Sequence, residues 1–559
     1  MKKVFSWAVV VVGLTATSWQ ARSAEDKEQK LKADETQAYY TRKSITYVGL
    51  QPSQGITLVK GEKSAIEKAL KPAVELKRFD YNAVNPAEFG SLDGFVQALR
   101  EYVKKRSVDR AAAEAEYELR FKSARVYASD IDRIMSSAYL YLIEVSALRA
   151  APWVCWDEVT TVPAKKPGEK PRQKVERKCR QGDPQDWKEE PEVRVAVQGK
   201  VVFLRANLLD ESKPATAPLA AIRWGGDDVQ GYAGMPRPPE RRKLPPNATD
   251  KMREEAEEQY HQDLERYQQA LAEYRQKLPE LQLQARVQAV RSVAGGSAGG
   301  VEKQVKSIPD FQLKSPVVGM HDDRVQFMMG QAEGVLLDDT YDVTEFDASG
   351  AKNLIGYVKV RDVGDAQGSG QGTPSEAEKV REKRDFAGGE LLYEHPMMGM
   401  SWSPFFQFQW DLLGMVDEAG PLFGGGMAFD FDLANAFGAP EIYLSVVLDY
   451  LYAGDDFHLP HFTLGLHKKW YATSLVFDLG GRVGLGALVY GGEEGASPYN
   501  EDSKVSVGGL LTLGLEWYII PEFSLFLRAE GGYFAYVSGR SYVDDEVKVN
   551  AQVGLIVSF

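Results

Sequence analysis

The C-terminal segment 398–559 constrains the fold most strongly, because apolar and polar residues alternate there in short segments. The alternation is clear from Phe405 to Asp411 and again from Met427 to Leu433. Successive side chains of a strand lie on opposite faces, so a period of two residues indicates strands with one apolar and one polar face. Eight such segments of about 10 to 14 residues, separated by Gly, Pro and acidic turns, fill the region.

Strands of this length and period are typical of a transmembrane β-barrel, in which one face meets lipid and the other the interior. Large apolar residues such as Phe406, Trp410 and Leu513 share one predicted face. A soluble eight-stranded barrel has the opposite arrangement, apolar inside and polar outside. Ionisable residues on the predicted inner face should form a charge network; they are Asp411, Asp430, Asp432, Asp449, Asp478, Arg482, Glu516, Arg528, Glu530 and Lys548.

The chain ends with an amphipathic run from Val553 to the aromatic Phe559. This ending resembles the terminal signal of bacterial outer-membrane proteins, and segment 398–559 as a whole resembles the small OmpA/OmpX-type barrels. The resemblance implies a location in the outer membrane, contact with its lipid, and recognition of Phe559 by the barrel assembly machinery.

The connections between the predicted strands indicate an orientation. Those after the first, third, fifth and seventh strands are long, acidic or Gly-rich, whereas others, such as 519–522, are short. Bacterial barrels have short periplasmic turns and longer external loops. Residues 25–397 are therefore expected to lie in the periplasm.

The favoured role for the charged residues of the predicted barrel interior is structural. Side chains just fill an eight-stranded barrel, so we expect paired charges and no diffusion pore. Conduction of protons or cations is one alternative. A lipid-modifying barrel enzyme is another, because His458 and His461 lie near a predicted external loop, although aromatic-belt and loop positions explain both histidines equally well.

The first 24 residues have the order of a secretory signal peptide. Lys2 and Lys3 precede an apolar stretch from Val4 to Leu14, and small residues up to Ala24 follow. The apolar stretch is shorter than the roughly 20 residues that a spanning helix needs. We expect cleavage near Ser23 or Ala24; a retained membrane anchor is the alternative.

Residues 25–300 predict a periplasmic α/β domain, because helical and strand patterns alternate from Ser44 onward. Cys155 and Cys179 flank a basic, Pro-rich stretch between two predicted strands. In an oxidising compartment we expect them to form a disulfide at the base of a hairpin insertion, adding ~3 kcal/mol. A redox role is the alternative, although the spacing is not Cys-x-x-Cys.

A long helix is predicted from the capping residues Asn247 to Asp250 to about Ala294. Its apolar residues form a seam at alternating spacings of four and three residues, interrupted at Pro279; the seam begins Tyr260, Leu264, Tyr267, Leu271, Tyr274 and Leu278. The seam indicates either an arm that packs on its own domain or an oligomer contact.

Two further segments precede the barrel. Residues 301–363 predict a small SH3-like β unit, and 364–397 a linker and lead-in to the barrel. The order of an initial α/β unit, a long strand and the Leu336-Leu337-Asp338 turn faintly resembles the CsgG-like periplasmic domains of envelope proteins, with large insertions.

The composition and the absence of known motifs argue against several classes of function. A net charge of −13 argues against nucleic-acid binding, and two Cys and six His argue against a Cys- or His-built metal site. The sequence shows no nucleophile–base pairing, phosphate loop or zinc motif, so we expect no catalytic residue, metal or cofactor. The chain is thus predicted to be an outer-membrane barrel that anchors a periplasmic α+β interaction module for a protein partner, in tethering or envelope assembly. The alternatives are a lipid-modifying enzyme and an accessory of an export complex.

Overall fold

The computed structural model describes most of the chain after residue 41. The described ranges are 42–82, 92–108, 139–162, 172–207, 214, 216–245, 248–347, 351–366, 372–386, 388–411, 422–453, 457–490, 504–536 and 546–559. The predicted signal peptide, 1–24, lies outside these residues. Among the described residues, no helix combines the length and apolarity needed to cross a membrane.

The first unit is a mixed sheet with helices, as the alternating patterns predict. Its strands and helices are β1 (Lys43–Pro52), α1 (Lys60–Val74), β2 (Phe79–Asn82), α2 (Leu92–Val108), β3 (Tyr139–Val162), β4 (Arg172–Gln181), β5 (Glu190–Ala206) and β6 (Thr216–Gly231). The main strand order is β2-β1-β3-β5-β6, with β1 parallel to both neighbours. Apolar residues such as Ile45, Leu70 and Phe203 form one buried core. We refer to this unit, with the helix described next, as the α/β unit.

The outer half of β3 pairs with β4 as a two-stranded ribbon that extends from the sheet. Cys155 and Cys179 lie opposite each other at its base and form a disulfide. The disulfide prediction is confirmed. Beyond it the ribbon is exposed on both faces, including Val159 and Val175.

Helix α3 (Asp250–Lys306) has 57 residues and begins where the sequence predicts, with the Thr249 hydroxyl accepting from the Met252 N–H at 3.3 Å. The predicted end near Ala294 is wrong, because the helix continues through Gly295–Gly300. Val301 and Val305 are buried in the α/β core, and this packing offsets the low helix propensity of the glycines.

The first half of α3 contacts the Pro-rich segment 232–245 of its own chain, in agreement with the first of the two alternatives. Gln282 donates to the Tyr232 hydroxyl at 3.2 Å at one end of that segment. Arg241 stacks over Tyr260 and pairs with Glu257 at the other end. The segment therefore runs antiparallel to the first half of the helix.

The second unit is a closed six-stranded barrel. Its strands are β7 (Lys314–His321), β8 (Arg324–Phe327), β9 (Thr340–Phe346), β10 (Lys352–Asp362), β11 (Ser375–Glu382) and β12 (Leu391–His395), in the order β10-β11-β8-β7-β12-β9. The predicted boundaries of this β unit are wrong, because two of its strands come from 364–397, which was expected to be a linker. The many charged residues of β11 obscure its strand pattern in the sequence, although Ala377 and Val380 are buried.

The third unit is a closed barrel of eight antiparallel strands, as predicted. Its elements are β13 (Met400–Asp411), β14 (Leu422–Asp432), α4 (Ala434–Phe437), β15 (Ile442–Ala453), β16 (Phe457–Ala472), β17 (Leu475–Tyr490), β18 (Lys504–Ile520), β19 (Phe523–Tyr536) and β20 (Glu546–Ser558). Each strand pairs with its sequence neighbours, and β20 closes the barrel on β13. We call this unit the C-terminal barrel. Its short-turn end is the end at which residues 433–441, 473–474 and 521–522 connect strands.

The two faces of the C-terminal barrel separate as the alternation predicts. Leu511 is 70% exposed on the outside, and its strand neighbours Leu510 and Thr512 are buried inside. Inward glycines make room for large inward side chains: a Cβ on Gly486 would lie 2.5 Å from the His461 ring, and one on Gly554 would lie 2.8 Å from Phe526. The interior is therefore filled by side chains.

Candidate functional site

The interior of the C-terminal barrel holds a paired charge network. Five carboxylates and four Lys or Arg side chains are buried there, together with two histidines; they are Asp430, Asp449, Asp478, Glu516, Glu530, Lys469, Arg482, Arg528, Lys548, His461 and His467. The strands position them by simple alternation, since each occupies an inward position. The near balance of charge fits a low-dielectric interior, where an unpaired charge is costly.

One group of contacts lies towards the end opposite the short turns. Asp449 Oδ1 accepts from Lys548 Nζ at 3.0 Å and from Gln407 at 3.1 Å, and lies 3.1 Å from His461 Nδ1. Near mid-barrel, Glu530 pairs with Arg482 and accepts from Gln552 at 2.9 Å.

A second group lies towards the short-turn end. His467 bridges two carboxylates, with Nδ1 at 2.8 Å from Asp478 and Nε2 at 3.4 Å from Asp430. Arg528 lies 3.0 Å from Asp478, and Lys469 lies 2.7 Å from Glu516. Both groups cross-link strands that are not sequence neighbours, so they brace the barrel from within.

Eight of the ten predicted network residues are brought together in this way. Asp432 instead lies at the short-turn end, where it accepts from the Ala434 N–H at 2.7 Å. Asp411 belongs to β13, but its side chain lies outside the described residues. His461 lies near the predicted external-loop end of β16, as expected, but its side chain is buried in the interior against Asp449 and does not occupy a loop or aromatic-belt position.

His461, His467 and Lys469 also belong to the charge network, although they were not predicted as members. Their signal was present, because all three fall on the same two-residue period of β16. The alternation in the sequence predicts a strand from His461 to His467, whereas β16 extends to Ala472. His458 lies at the start of the same strand, where its ring contacts the Tyr450 hydroxyl.

The six-stranded barrel contacts the short-turn end through a buried ion cluster. Glu441 Oε1 accepts from Lys359 Nζ at 2.6 Å and from Arg361 at 2.7 Å. Asp338 accepts from Arg361 and from the Glu441 N–H. We call Asp338, Lys359, Arg361 and Glu441 the junction cluster; all four side chains are buried or nearly so.

The surroundings of the junction cluster hold two of its residues in an unusual backbone conformation and shift the pKa values of its two carboxyl groups. Asp338 and Glu441 both have positive φ, at 65° and 58°, a conformation that non-glycine residues adopt only where other contacts hold it. Burial and the neighbouring Glu441 charge raise the pKa of Asp338 to about 7. Although burial opposes it, the Lys359 and Arg361 charges hold the pKa of Glu441 well below its usual range.

Two further contacts secure the same junction. His395 at the end of β12 lies 2.9 Å from Asp342 and 3.0 Å from Glu522, which belongs to a short turn of the C-terminal barrel. Despite burial, these two carboxylates raise the pKa of His395 to about 9. Asn435 of α4 accepts from the Leu337 N–H at 3.2 Å.

The α/β unit is joined to the six-stranded barrel by a buried ion pair. Arg78 donates to Glu394 Oε1 at 2.7 Å, and both side chains are almost fully buried. The Arg78 guanidinium also donates to the Phe311 carbonyl at 3.3 Å. Because Glu394 precedes His395 in β12, one short strand contacts both neighbouring units.

Comparison with solved structures finds small outer-membrane barrels. Neisserial surface protein A is 13% identical, with 29% of this chain and 96% of that chain covered and a TM-score of 0.23. The N-terminal β-barrel domain of Pseudomonas aeruginosa OprF is 12% identical, with coverages of 29% and 96% and a TM-score of 0.20. Yersinia pestis Ail, solved with the heparin analogue sucrose octasulfate, is 13% identical, with coverages of 29% and 96% and a TM-score of 0.19.

No protein-family model matches the chain, and comparison with curated proteins finds no match. The fold is established by the strand pairings themselves. The C-terminal segment is a closed eight-stranded antiparallel barrel, apolar outside and polar inside, as its resemblance to OmpA/OmpX-type barrels implies.

Proposed function

We propose that the chain is an outer-membrane protein whose barrel holds a periplasmic interaction module rigidly at the membrane. The observation that carries this proposal is the junction cluster, whose buried ion pairs join the six-stranded barrel to the short-turn end of the C-terminal barrel. If a flexible linker connected the two barrels, the charged residues on their facing surfaces would remain solvated by water. Buried ion pairs between the barrels instead indicate a fixed contact.

The proposed orientation follows from the two ends of the C-terminal barrel. Its short turns face the periplasm in bacterial barrels of this kind, and both of its termini lie at that end. The six-stranded barrel and the α/β unit would then lie in the periplasm. The Cys155–Cys179 disulfide supports this assignment, because disulfides persist in oxidising compartments.

The proposed role is non-catalytic and consists of recognition at a fixed place in the envelope. The exposed β3–β4 ribbon and the first half of α3 extend from the α/β unit and offer surface to a periplasmic protein. The filled interior favours a bracing role for the charge network over conduction. During biogenesis, the barrel assembly machinery would recognise β20 and Phe559.

Cell fractionation combined with gel mobility tests the membrane assignment. The protein should sit in the outer-membrane fraction and migrate differently when boiled and unboiled, because a folded barrel resists detergent. Externally added protease should leave the α/β unit intact in whole cells and cleave it after the outer membrane is permeabilised. A soluble protein with one mobility, or an α/β unit cleaved in intact cells, would contradict the proposal.

A further inference from the structure

The two residues of the Cys155–Cys179 disulfide differ in exposure, because they lie on strands with different neighbours. Cys155 belongs to β3, which at this point pairs with β4 on one side and with Glu190 of β5 on the other. Cys179 belongs to β4, an edge strand whose partner among the described strands is β3. Cys155 is accordingly 1% exposed, whereas Cys179 is exposed. A molecule in solution can therefore reach one end of the disulfide and not the other.

An arginine contacts the buried end of the disulfide. Arg194 of β5 lies on the same face of the sheet as Cys155, because 151, 153 and 155 lie opposite 194, 192 and 190. Its Nη2 is 3.7 Å from the Cys155 sulfur. Two contacts hold the guanidinium there: its carbon lies 4.2 Å from the centre of the Trp153 ring, and its Nε donates to Glu192 at 2.6 Å. The buried sulfur thus has a positioned positive charge beside it.

Three carboxylates on the same face could oppose that charge: Asp157, Glu190 and Glu192. Asp157 and Glu190 are exposed, so water and salt screen them, and Arg177 pairs with Glu190 at 2.5 Å. Glu192 pairs with Arg194 itself, through a nitrogen other than the one that contacts the sulfur. The guanidinium is therefore the charged group in direct contact with the buried sulfur.

From these observations we infer that Cys179 is a thiol-exchange site, at which the thiolate of another molecule forms a mixed disulfide. The incoming thiolate attacks the Cys179 sulfur, the Cys155–Cys179 bond breaks, and its electron pair leaves on Cys155 as a thiolate. One disulfide is broken and one is formed, so no external oxidant or reductant is needed. A neighbouring cation stabilises a thiolate, and exchange is faster when the leaving thiolate is more stable. Arg194 lies where it stabilises the departing negative charge.

Exchange by the purified full-length protein in detergent tests this site with two probes. Reduced glutathione represents small thiols, and a thioredoxin without its resolving cysteine represents protein thiols. After quenching with N-ethylmaleimide at acidic pH, peptide mass spectrometry should find the early adducts at Cys179 and the alkylated thiol at Cys155. Adducts with glutathione alone would assign the site to small thiols, and adducts with both probes would extend it to protein thiols. Equal adducts at the two cysteines, or exchange only after unfolding in urea, would overturn the proposal.

Substitution of Arg194 tests the stabilisation of the leaving thiolate. Arg194→Met should slow exchange by about threefold to tenfold, and Arg194→Lys, which keeps the charge, should slow it less. A merely structural role would give the opposite sign, because loosening the sheet around Cys155 would expose its sulfur. The matched control Arg180→Met removes an arginine next to the attacked residue, on the other face, and should change the rate by less than about twofold. Exchange by Arg194→Met at the wild-type rate or faster would overturn the proposal.

Discussion

The chain contains two closed β-barrels whose sidedness is opposite. In the six-stranded barrel, Val325, Phe327 and Val343 are buried inside, and Glu376 of β11 lies outside near His321 and Arg324. In the C-terminal barrel the apolar residues lie outside and the charges inside. Both are built from the same two-residue alternation, so on the proposed assignment the surroundings decide which face turns inward: water around one barrel and lipid around the other.

On this assignment the two surroundings meet at the junction cluster. Lys359 and Arg361 lie on the outside of the six-stranded barrel, where water would normally solvate them. The short-turn end of the C-terminal barrel covers them, and Glu441 replaces the lost water. A buried charge with its partner removed is strongly destabilising, so this boundary should respond sharply to substitution.

The largest expected effect comes from unpairing a charge inside the C-terminal barrel. Arg528→Met leaves Asp478 and Glu516 without this partner and should lower the free energy of unfolding by about 3–5 kcal/mol. Urea titration in lipid vesicles, followed by gel mobility, measures it. Arg528→Lys keeps the charge and should lose less; equal losses would show that the network does not act through charge.

A charge placed on the lipid side should cost somewhat less. Leu513→Arg puts a guanidinium on the outer face of β18 and should destabilise the barrel by about 2–4 kcal/mol in vesicles. The matched substitution Val318→Arg lies on an exposed position of the six-stranded barrel and should change stability by less than about 0.5 kcal/mol. Similar effects at both positions would contradict the opposite sidedness of the two barrels.

Weakening the junction should separate the barrels without unfolding either. Glu441→Gln removes the charge that Lys359 and Arg361 share, and should weaken docking by about 2 kcal/mol. Hydrogen exchange should rise in β10 while the gel mobility of the C-terminal barrel stays unchanged. Glu378→Gln also contacts Arg361, but within the six-stranded barrel, and should leave docking intact.

The smallest expected effect is a dependence of docking on pH. His395 has an ordinary pKa of 6.5, raised to about 9 in the folded protein by Asp342 of its own barrel and Glu522 of the C-terminal barrel. Only the part of this shift that is due to Glu522 depends on docking; that contribution is complete below pH 6.5 and is lost as pH rises through 9. The raised pKa of Asp338 acts in the same direction, with its loss between 3.8 and about 7. The protection of β12 amides from hydrogen exchange, taken relative to their intrinsic exchange rate at each pH, should therefore fall between pH 6.5 and 9, and His395→Gln should remove that fall; an unchanged profile in the variant would exclude His395 as its cause.

How much the sequence could predict differs between these regions for physical reasons. The C-terminal barrel was predictable because its alternation is local and nearly uninterrupted, although the extension of β16 to Lys469 was missed. The junction cluster was not, because Asp338 and Glu441 are 103 residues apart and neither carries a local signal of the contact. Strands β11 and β12 were not predicted for a related reason. Each has few buried residues, and these are buried only because the closed six-stranded barrel surrounds them.

Accessibility of nitroxide spin labels in lipid vesicles tests the central claim of two barrels in two surroundings most directly. A label on Leu511→Cys should be relaxed by dissolved oxygen and shielded from a water-soluble nickel complex, because that side chain faces lipid. A label on Val318→Cys should show the reverse preference, because it faces water. Equal nickel accessibility at both positions would contradict a lipid-facing C-terminal barrel.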